Sequence, residues 1–402
     1  MECVKELYLR RRLTGRCGMS RIILLLLLTI GIAVHANAAR PVTVAQLNQL
    51  LAAAHGQSDR KVAGQIAALE LTERASSLRL ARWETEFPGH RCHEVLTQLA
   101  DAAAFLDLPT SDMPANPQPD FDAQKAMLAK AVDYANKTIT RLPNFYATRQ
   151  TEHYEDNPAQ ETIDRSNSTM IGRGARMGMS PGQSEYVPMH SFGQSSVTVS
   201  YRDGYELVNS KRANISAQGS SVPGLTTTGE FGPILALVLR DAANGKIMWA
   251  HWEEGVNGIE AVFRYAVSQG QSGYTVTIPL GARTHQVDPA YHGEIAIDPN
   301  TGSIMRITVV SNFQYPYQRA YTAIAVEYGN VAIGGTTYIC PVKSVAISRM
   351  PTAAVGDEFD YAAPLQTQMN DVTFIQYHLF RSESRIVPVT GESDEPPPQP
   401  TH

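Results

Sequence analysis

Several short stretches of the sequence carry residue types that could do chemistry. In "YHGEIAIDPNTGSIMRITVV" (Tyr291 to Val310), Asp298, His292 and Glu294 could frame an acid–base site. Turn chemistry accounts for Asp298 without catalysis: its side chain can bond its own backbone, Pro299 presets φ, and Gly302 supplies a positive φ. "DAANGKI" (Asp241 to Ile247) repeats the same Asp, Gly and Ile spacing, as turns do. His292 and Glu294 share a strand face, the pattern of a sheet with one solvated side. The hairpin therefore reads as scaffold.

"GHRCHEVL" brings His90, Cys92 and His93 close together, and thiolate and imidazole are zinc ligands. Residues two apart on a helix do not face each other, and no second ligand pair follows. A helix start with a buried cysteine fits better. "HWEE" puts His251 and Glu253 on one strand face with Trp249 nearby, a set that could line a pocket or simply form a wet face. "GRGARMG" (Gly172 to Gly178) lacks the spacing and the strand-to-helix context of a phosphate loop. G-x-S-x-G and H-E-x-x-H are absent. No catalytic residue, metal ligand or cofactor is expected.

The elements around these residues fall into two textures. From Thr43 to about Phe105 apolar residues recur at helical spacing: Val44, Leu47, Leu50 and Leu51, then Val62, Ile66 and Leu69, then Leu78 and Trp83, then Val95, Leu96 and Leu99. Thr43 with Gln46 forms a capping-box pattern, Asp59 opens a second helix, and Pro88-Gly89 stops the third. This predicts a helical domain over 39–106. "DLPTSDMPANPQPD" (107–120) is a proline-rich linker or strap. A helix follows near 121–141, with Met127, Leu128, Ala131, Val132 and Ile139 on one stripe.

Beyond Pro143 come short β-branched and aromatic runs separated by Gly, Asn and Asp, which predict an antiparallel meander within a β domain spanning 121–384. Arg202-Asp203-Gly204 and Gly334-Gly335 mark hairpin turns. "TTTGEFGPILALVLRDAANGK" interrupts the strands. Phe231, Ile234, Leu235 and Val238 share a helical face there, predicting a covering helix near 230–242, although a buried strand at Ile234 to Leu239 would also suit. Thr227 with Glu230 is a second capping-box pattern. Thr162 to Pro188 reads as a long loop, and 385–402 as an exposed, disordered proline-rich tail.

Composition and charge restrict the class. Of the 402 residues 43% are hydrophobic and 18% charged, which suits a core-forming protein. A net charge of −5 without a basic run argues against nucleic acid. Arg21 leads into "IILLLLLTIGIAV", about 13 apolar residues where a bilayer needs roughly 20, and Ala36-Asn37-Ala38 has the small-x-small form of a cleaved leader. A signal peptide over 1–38, with Met19 as the true start and cleavage after Ala38, would make the chain periplasmic or secreted and not an integral membrane protein. Cys92 and Cys340 remain in the mature chain and could form one bridge.

"GEIAIDPNTGSIMRI" followed by "VEYGNVAIGGTTYICPVK" is similar to the repeating hairpins of the periplasmic lipoprotein-carrier superfamily, LolA and LolB among them. The order helix, strands, internal helix and strands also resembles exported bacterial proteins with a helical N-terminal region. The likeness spans roughly Pro143 to Ser382. It implies an α+β fold with a curved antiparallel sheet, an incomplete barrel whose apolar concave face is covered by a helix and holds acyl chains. The chain differs from the carriers in its longer body, its N-terminal helices and its tail.

Together these features point to an exported, non-enzymatic binding protein of the cell envelope, holding an apolar or lipid-like ligand against Phe231, Ile234, Leu235, Val238 and Trp249. The alternative is a structural or interaction module with a filled β core, contacting envelope proteins through its helices and proline segments.

Overall fold

The computed structural model describes residues 39–138, 142–157, 187–208, 230–280, 283–355, 358–360 and 363–380. The expected leader, most of the loop at 162–188, the tail at 385–402, Thr227 and Ile139 lie outside them.

The N-terminal unit contains α1 (Val44–Ala53), α2 (Asp59–Ile66), α3 (Ser77–Glu86) and α4 (His90–Ala102). The Thr43 hydroxyl accepts from Gln46 N–H at 3.1 Å and the Gln46 side chain accepts from Thr43 N–H at 2.9 Å, closing the capping box. Ser58, not Asp59, holds the N-cap position of α2, without a side-chain cap bond. The Asp59 carboxylate instead accepts from the Arg91 and Cys92 N–H groups at the start of α4. Leu47, Leu51, Val62, Ile66, Trp83, Leu96 and Leu99 share one core. Each buried large side chain contributes about 1.5–3 kcal/mol, against about 1 kcal/mol for a cap, so packing dominates this unit. Helical periodicity gave no hint of β1 (Arg40–Val42) and β2 (Leu69–Leu71), a parallel pair that takes Leu69 out of the α2 stripe.

Segment 107–120 holds a single 3-10 turn (Thr110–Asp112) and runs as a strap: the Trp252 indole N–H donates to Pro117 O at 2.8 Å and Arg79 pairs with Asp112. Helix α5 (Phe121–Thr138) follows. Its buried stripe is Ala131 and Ala135 with Met127, Leu128 and Tyr134 half-buried, while Val132, expected inside, is exposed.

Then come β3 (Phe145–Asn157), β4 (Val187–Arg202), β5 (Tyr205–Val208), α6 (Pro233–Asn244), β6 (Lys246–Gly255) and β7 (Gly258–Val267). A detached hairpin, β8 (Val276–Leu280) and β9 (Arg283–Val287), precedes β10 (Ala290–Ile297), β11 (Ile304–Asn312), β12 (Tyr321–Ile333) and β13 (Thr336–Pro351). The pair β14 (Ala354–Val355) and β15 (Glu358–Phe359) leads to β16 (Leu365–Leu379).

The fold is α+β. Ten strands form one antiparallel sheet in the order β5-β4-β3-β16-β13-β12-β11-β10-β7-β6, open at both ends and not a closed barrel. The meander holds from β6 to β16 apart from the β8–β9 and β14–β15 excursions. The last strand then pairs with β3, which adds β3, β4 and β5 beyond it and leaves β16 no bare edge. At the β4–β5 turn Asp203 and Gly204 have φ of 51° and 87°, and at the β12–β13 turn Gly334 and Gly335 have 61° and 89°. Both central positions are left-handed, as tight hairpins require.

Both sheet faces are covered, giving three layers. Phe263, Tyr265, Ile295, Ile307, Ile324 and Val326 point to α5 and α6. The alternate residues, including Arg264, Glu294, Arg306, Glu327, Lys343 and Asp371, point to the N-terminal unit. Among the described residues no helix is long and apolar enough to cross a membrane.

Candidate functional site

The residues expected to hold an apolar ligand are core in this structure. Pro233 is the first residue of α6 and Gly232 its cap, so the segment is helix rather than strand. Ile234, Leu235 and Val238 pack with Phe263, Tyr265, Ile295 and Val326. Phe231 precedes the helix and joins a neighbouring cluster, with ring centroids 5.2 Å from Phe145 and 5.1 Å from Phe374. The space beside Phe231 and Leu235 measures about 20 Å³. That is room for a water molecule, not for an acyl chain.

Trp249 stands on the α6 side, edge-on to Trp252 at 4.8 Å and to Phe263 at 5.5 Å. It does not share a face with His251 and Glu253, because a β-bulge lies between Trp249 and His251: Trp249 pairs with Phe263 and His251 with Val262. The extra residue reverses the alternation. His251 and Glu253 consequently face the N-terminal unit.

There they join a buried ion network that sequence inspection assigned to a solvated face. The Arg74 guanidinium donates twice to Glu253, at 2.7 Å each. Arg306 donates to Glu253 at 2.8 Å and to Glu294 at 3.2 Å, and Arg264 joins Glu294 at 3.1 Å to Asp107. Burial would raise the Glu253 carboxyl, but the Arg306 and Arg74 guanidinium groups outweigh it and hold the group well below the usual carboxylate range, with His251 Nε2 3.7 Å away. Glu260, directly across from Glu253, is pushed up to about 7 by burial and by that neighbouring charge. A second group lies further along: Lys343 is 2.6 Å from Asp101 and 3.7 Å from Asp371. Burial, with Asp371 beside it, pushes Asp101 up to about 8 against the pull of Lys343.

Between these groups the two units leave open space. One chamber, of about 530 Å³, lies between α4 and strands β3, β4 and β16, and is lined by His90, His93, Glu94, Thr97, Gln150, Glu152, Tyr154, Gln194, Ser196, Asp371 and Thr373 among others. A second of about 320 Å³ continues under α3 and α4 past Arg74, Asp101, Glu327 and Lys343, and shares His93, Thr97, Asp371 and Thr373 with the first. Shared lining makes them one polar cleft. A separate space of about 310 Å³ is lined by His292, Glu294, Arg264 and Asp107.

The remaining sequence candidates resolve individually. Asp298 is a turn residue: its carboxylate accepts from Asn300 N–H and the Thr301 hydroxyl, each at 2.8 Å. His292 contacts Asn312 at 3.0 Å. His90 and His93 line the cleft, while Cys92 is buried at the start of α4 and burial pushes its thiol up to about 11. Cys92 and Cys340 are free and buried in separate clusters. The structure also assembles a row that no motif signalled. His153 bridges Asn370 Oδ1 at 2.7 Å and Ser195 Oγ at 3.0 Å, the order of an acyl-transfer triad. Ser195 is among the residues lining the first chamber, whereas strand alternation turns the His153 and Asn370 side chains to the opposite face.

The charges on β6, β7, β10 and β11 were the sequence signal for the ion network rather than for the cleft. Among the described residues, no group of three or more His, Cys, Asp or Glu is placed to hold a metal ion. Comparison with family models, curated proteins and solved structures finds no match.

Proposed function

We propose that the chain is a non-enzymatic binding protein of the cell envelope whose ligand occupies the polar cleft between the N-terminal unit and the sheet. One observation carries the choice of site: the cleft chambers measure about 530 and 320 Å³, within the size range of small-molecule sites, whereas the apolar face beneath α6 leaves about 20 Å³. Export rests on the leader-like segment before Ala39. The lipoprotein-carrier likeness enters in outline only, as an open antiparallel sheet with helices laid on it, and the ligand moves from the apolar to the polar side.

Thermal melting of the full chain against a panel of polar and apolar small molecules, beside Thr373→Trp, tests the site. Thr373 is exposed and lines both chambers, so the indole fills the cleft without entering the core. Polar compounds should raise the melting temperature of the wild type and not of the variant, since a ligand that binds only the folded state stabilises it by mass action. Stabilisation by fatty acids alone would return the site to α6. A structural or interaction module is the second reading, favoured by the filled packing under α6, and a panel without any effect would select it.

A further inference from the structure

Resting on the cleft as the binding site, we infer that its ligand is a neutral polyhydroxylated molecule, a linear oligosaccharide. Two buried atoms point to a bound molecule. Arg74 is 5% exposed and Asp101 4%, both line the chamber of about 320 Å³, and Arg74 Nε and Asp101 Oδ2 have no hydrogen-bond partner among the described residues. The rest of each side chain is engaged, the Arg74 terminal nitrogens by Glu253 and the other Asp101 oxygen by Lys343 at 2.6 Å. A buried polar group left unpaired is costly. The chamber beside these two is on the order of ten times the liquid volume of one water, large enough for a ligand that pairs both.

The charges around the cleft already answer one another. Lys343 lies between Asp101 and Asp371, Glu152 accepts from Ser191 and Gln194, Glu84 accepts from Thr97, and Glu327 accepts from Ser77. Glu94 is the one lining carboxylate without such a partner among the described residues. A ligand with net charge of its own would have to break one of these pairs or stay uncompensated beside them. A neutral ligand leaves them intact.

The floor supplies neutral partners. Ser196, Gln150 and Thr373 are register partners on β4, β3 and β16, all three are exposed and line the chamber of about 530 Å³, and no described residue engages their side chains. Neighbouring strands stand about 4.8 Å apart, so the row offers amide and hydroxyl groups at regular steps. Lys343 and Glu327 continue it on β13 and β12 into the second chamber. Hydroxyl groups suit this cleft better than peptide groups, because a hydroxyl donates and accepts through a single oxygen. Asp101 Oδ2 is an acceptor when ionised and an O–H donor when protonated, and burial pushes that titration up to about 8. A hydroxyl pairs with either form. Leu80, Ala104 and Val345 add apolar contacts for the C–H faces of a ring.

Calorimetric titration of the full chain with maltotriose, cellotriose and triacetylchitotriose, alongside spermidine, citrate and N-acetyl-trialanine amide, provides the test. At least one trisaccharide should bind and the other three compounds should not. Gln150→Ala and Ser196→Ala should each weaken that sugar about tenfold, the loss of one hydrogen bond, and Thr373→Trp should abolish its binding. All three positions are exposed, so the melting temperature without sugar should not change. Sugar affinity unaltered in all three variants would place the sugar outside the cleft and overturn the proposal. No sugar binding, with the peptide or a charged compound bound and lost in Thr373→Trp, would overturn the ligand class and keep the cleft. No binding of any compound would overturn both.

Discussion

The Arg74 guanidinium meets the Glu253 carboxylate in two bonds of 2.7 Å across 179 positions of sequence, with both side chains buried. The pair joins the N-terminal unit to β6, and Arg306 completes it from β11. It fixes how the roof of the cleft sits on its floor. Replacing Glu253 by Gln leaves the buried Arg74 guanidinium without a carboxylate and Arg306 with Glu294 alone, and should cost about 3–5 kcal/mol in urea denaturation. A cost below about 1 kcal/mol, the level of an exposed pair, would mean that the units are held by something else.

Glu260 gives the network a pH dependence of definite sign. Its folded carboxyl is raised to about 7, against about 4.3 for an unfolded chain. The folded state therefore holds a proton that the unfolded state releases, and stability falls as pH rises from about 4.3 through about 7. Glu260→Gln should remove this loss, with a melting temperature above wild type at pH 8 and close to it at pH 4. Equal differences at the two pH values would contradict burial of an ionisable carboxyl there.

Leu235 lies under α6 where the sequence suggested a ligand lid. In the packed core, Leu235→Trp has no room for the added ring and should lower stability by about 1–3 kcal/mol. A fluorescent fatty acid should not be taken up by the wild type. Probe uptake with a variant as stable as wild type would reveal an apolar cavity beneath α6.

Asp298→Ala should cost about 1 kcal/mol, because two side-chain bonds hold the β10–β11 turn. Ligand stabilisation of the variant should equal that of the wild type. Loss of binding without loss of stability would give Asp298 a functional role.

What could be read in the sequence was local. The Thr43–Gln46 box, the Asp298 turn, the glycine hairpins and the helix after Gly232 each depend on residues a few positions apart, whose chemistry is complete within a short window. The docked face was misread for the opposite reason. Glu253 and Glu294 look like a wet face until Arg74 and Asp107 arrive from far upstream to bury them. The bulge at Trp249 and His251 was equally hidden, since one inserted residue leaves the strand composition unchanged while reversing its faces. Val132 and Ala135 show a smaller limit: helical spacing admits both, and the close approach of α5 to its neighbours selects the smaller side chain.

Native mass spectrometry of the full chain purified from its own cells, beside Thr373→Trp purified identically, tests the cleft most directly. The wild type should carry a small polar adduct that is absent from the variant, with the two proteins melting at the same temperature in its absence. An adduct retained by Thr373→Trp, or a wild type that carries only apolar lipid, would contradict the assignment of the cleft as the binding site.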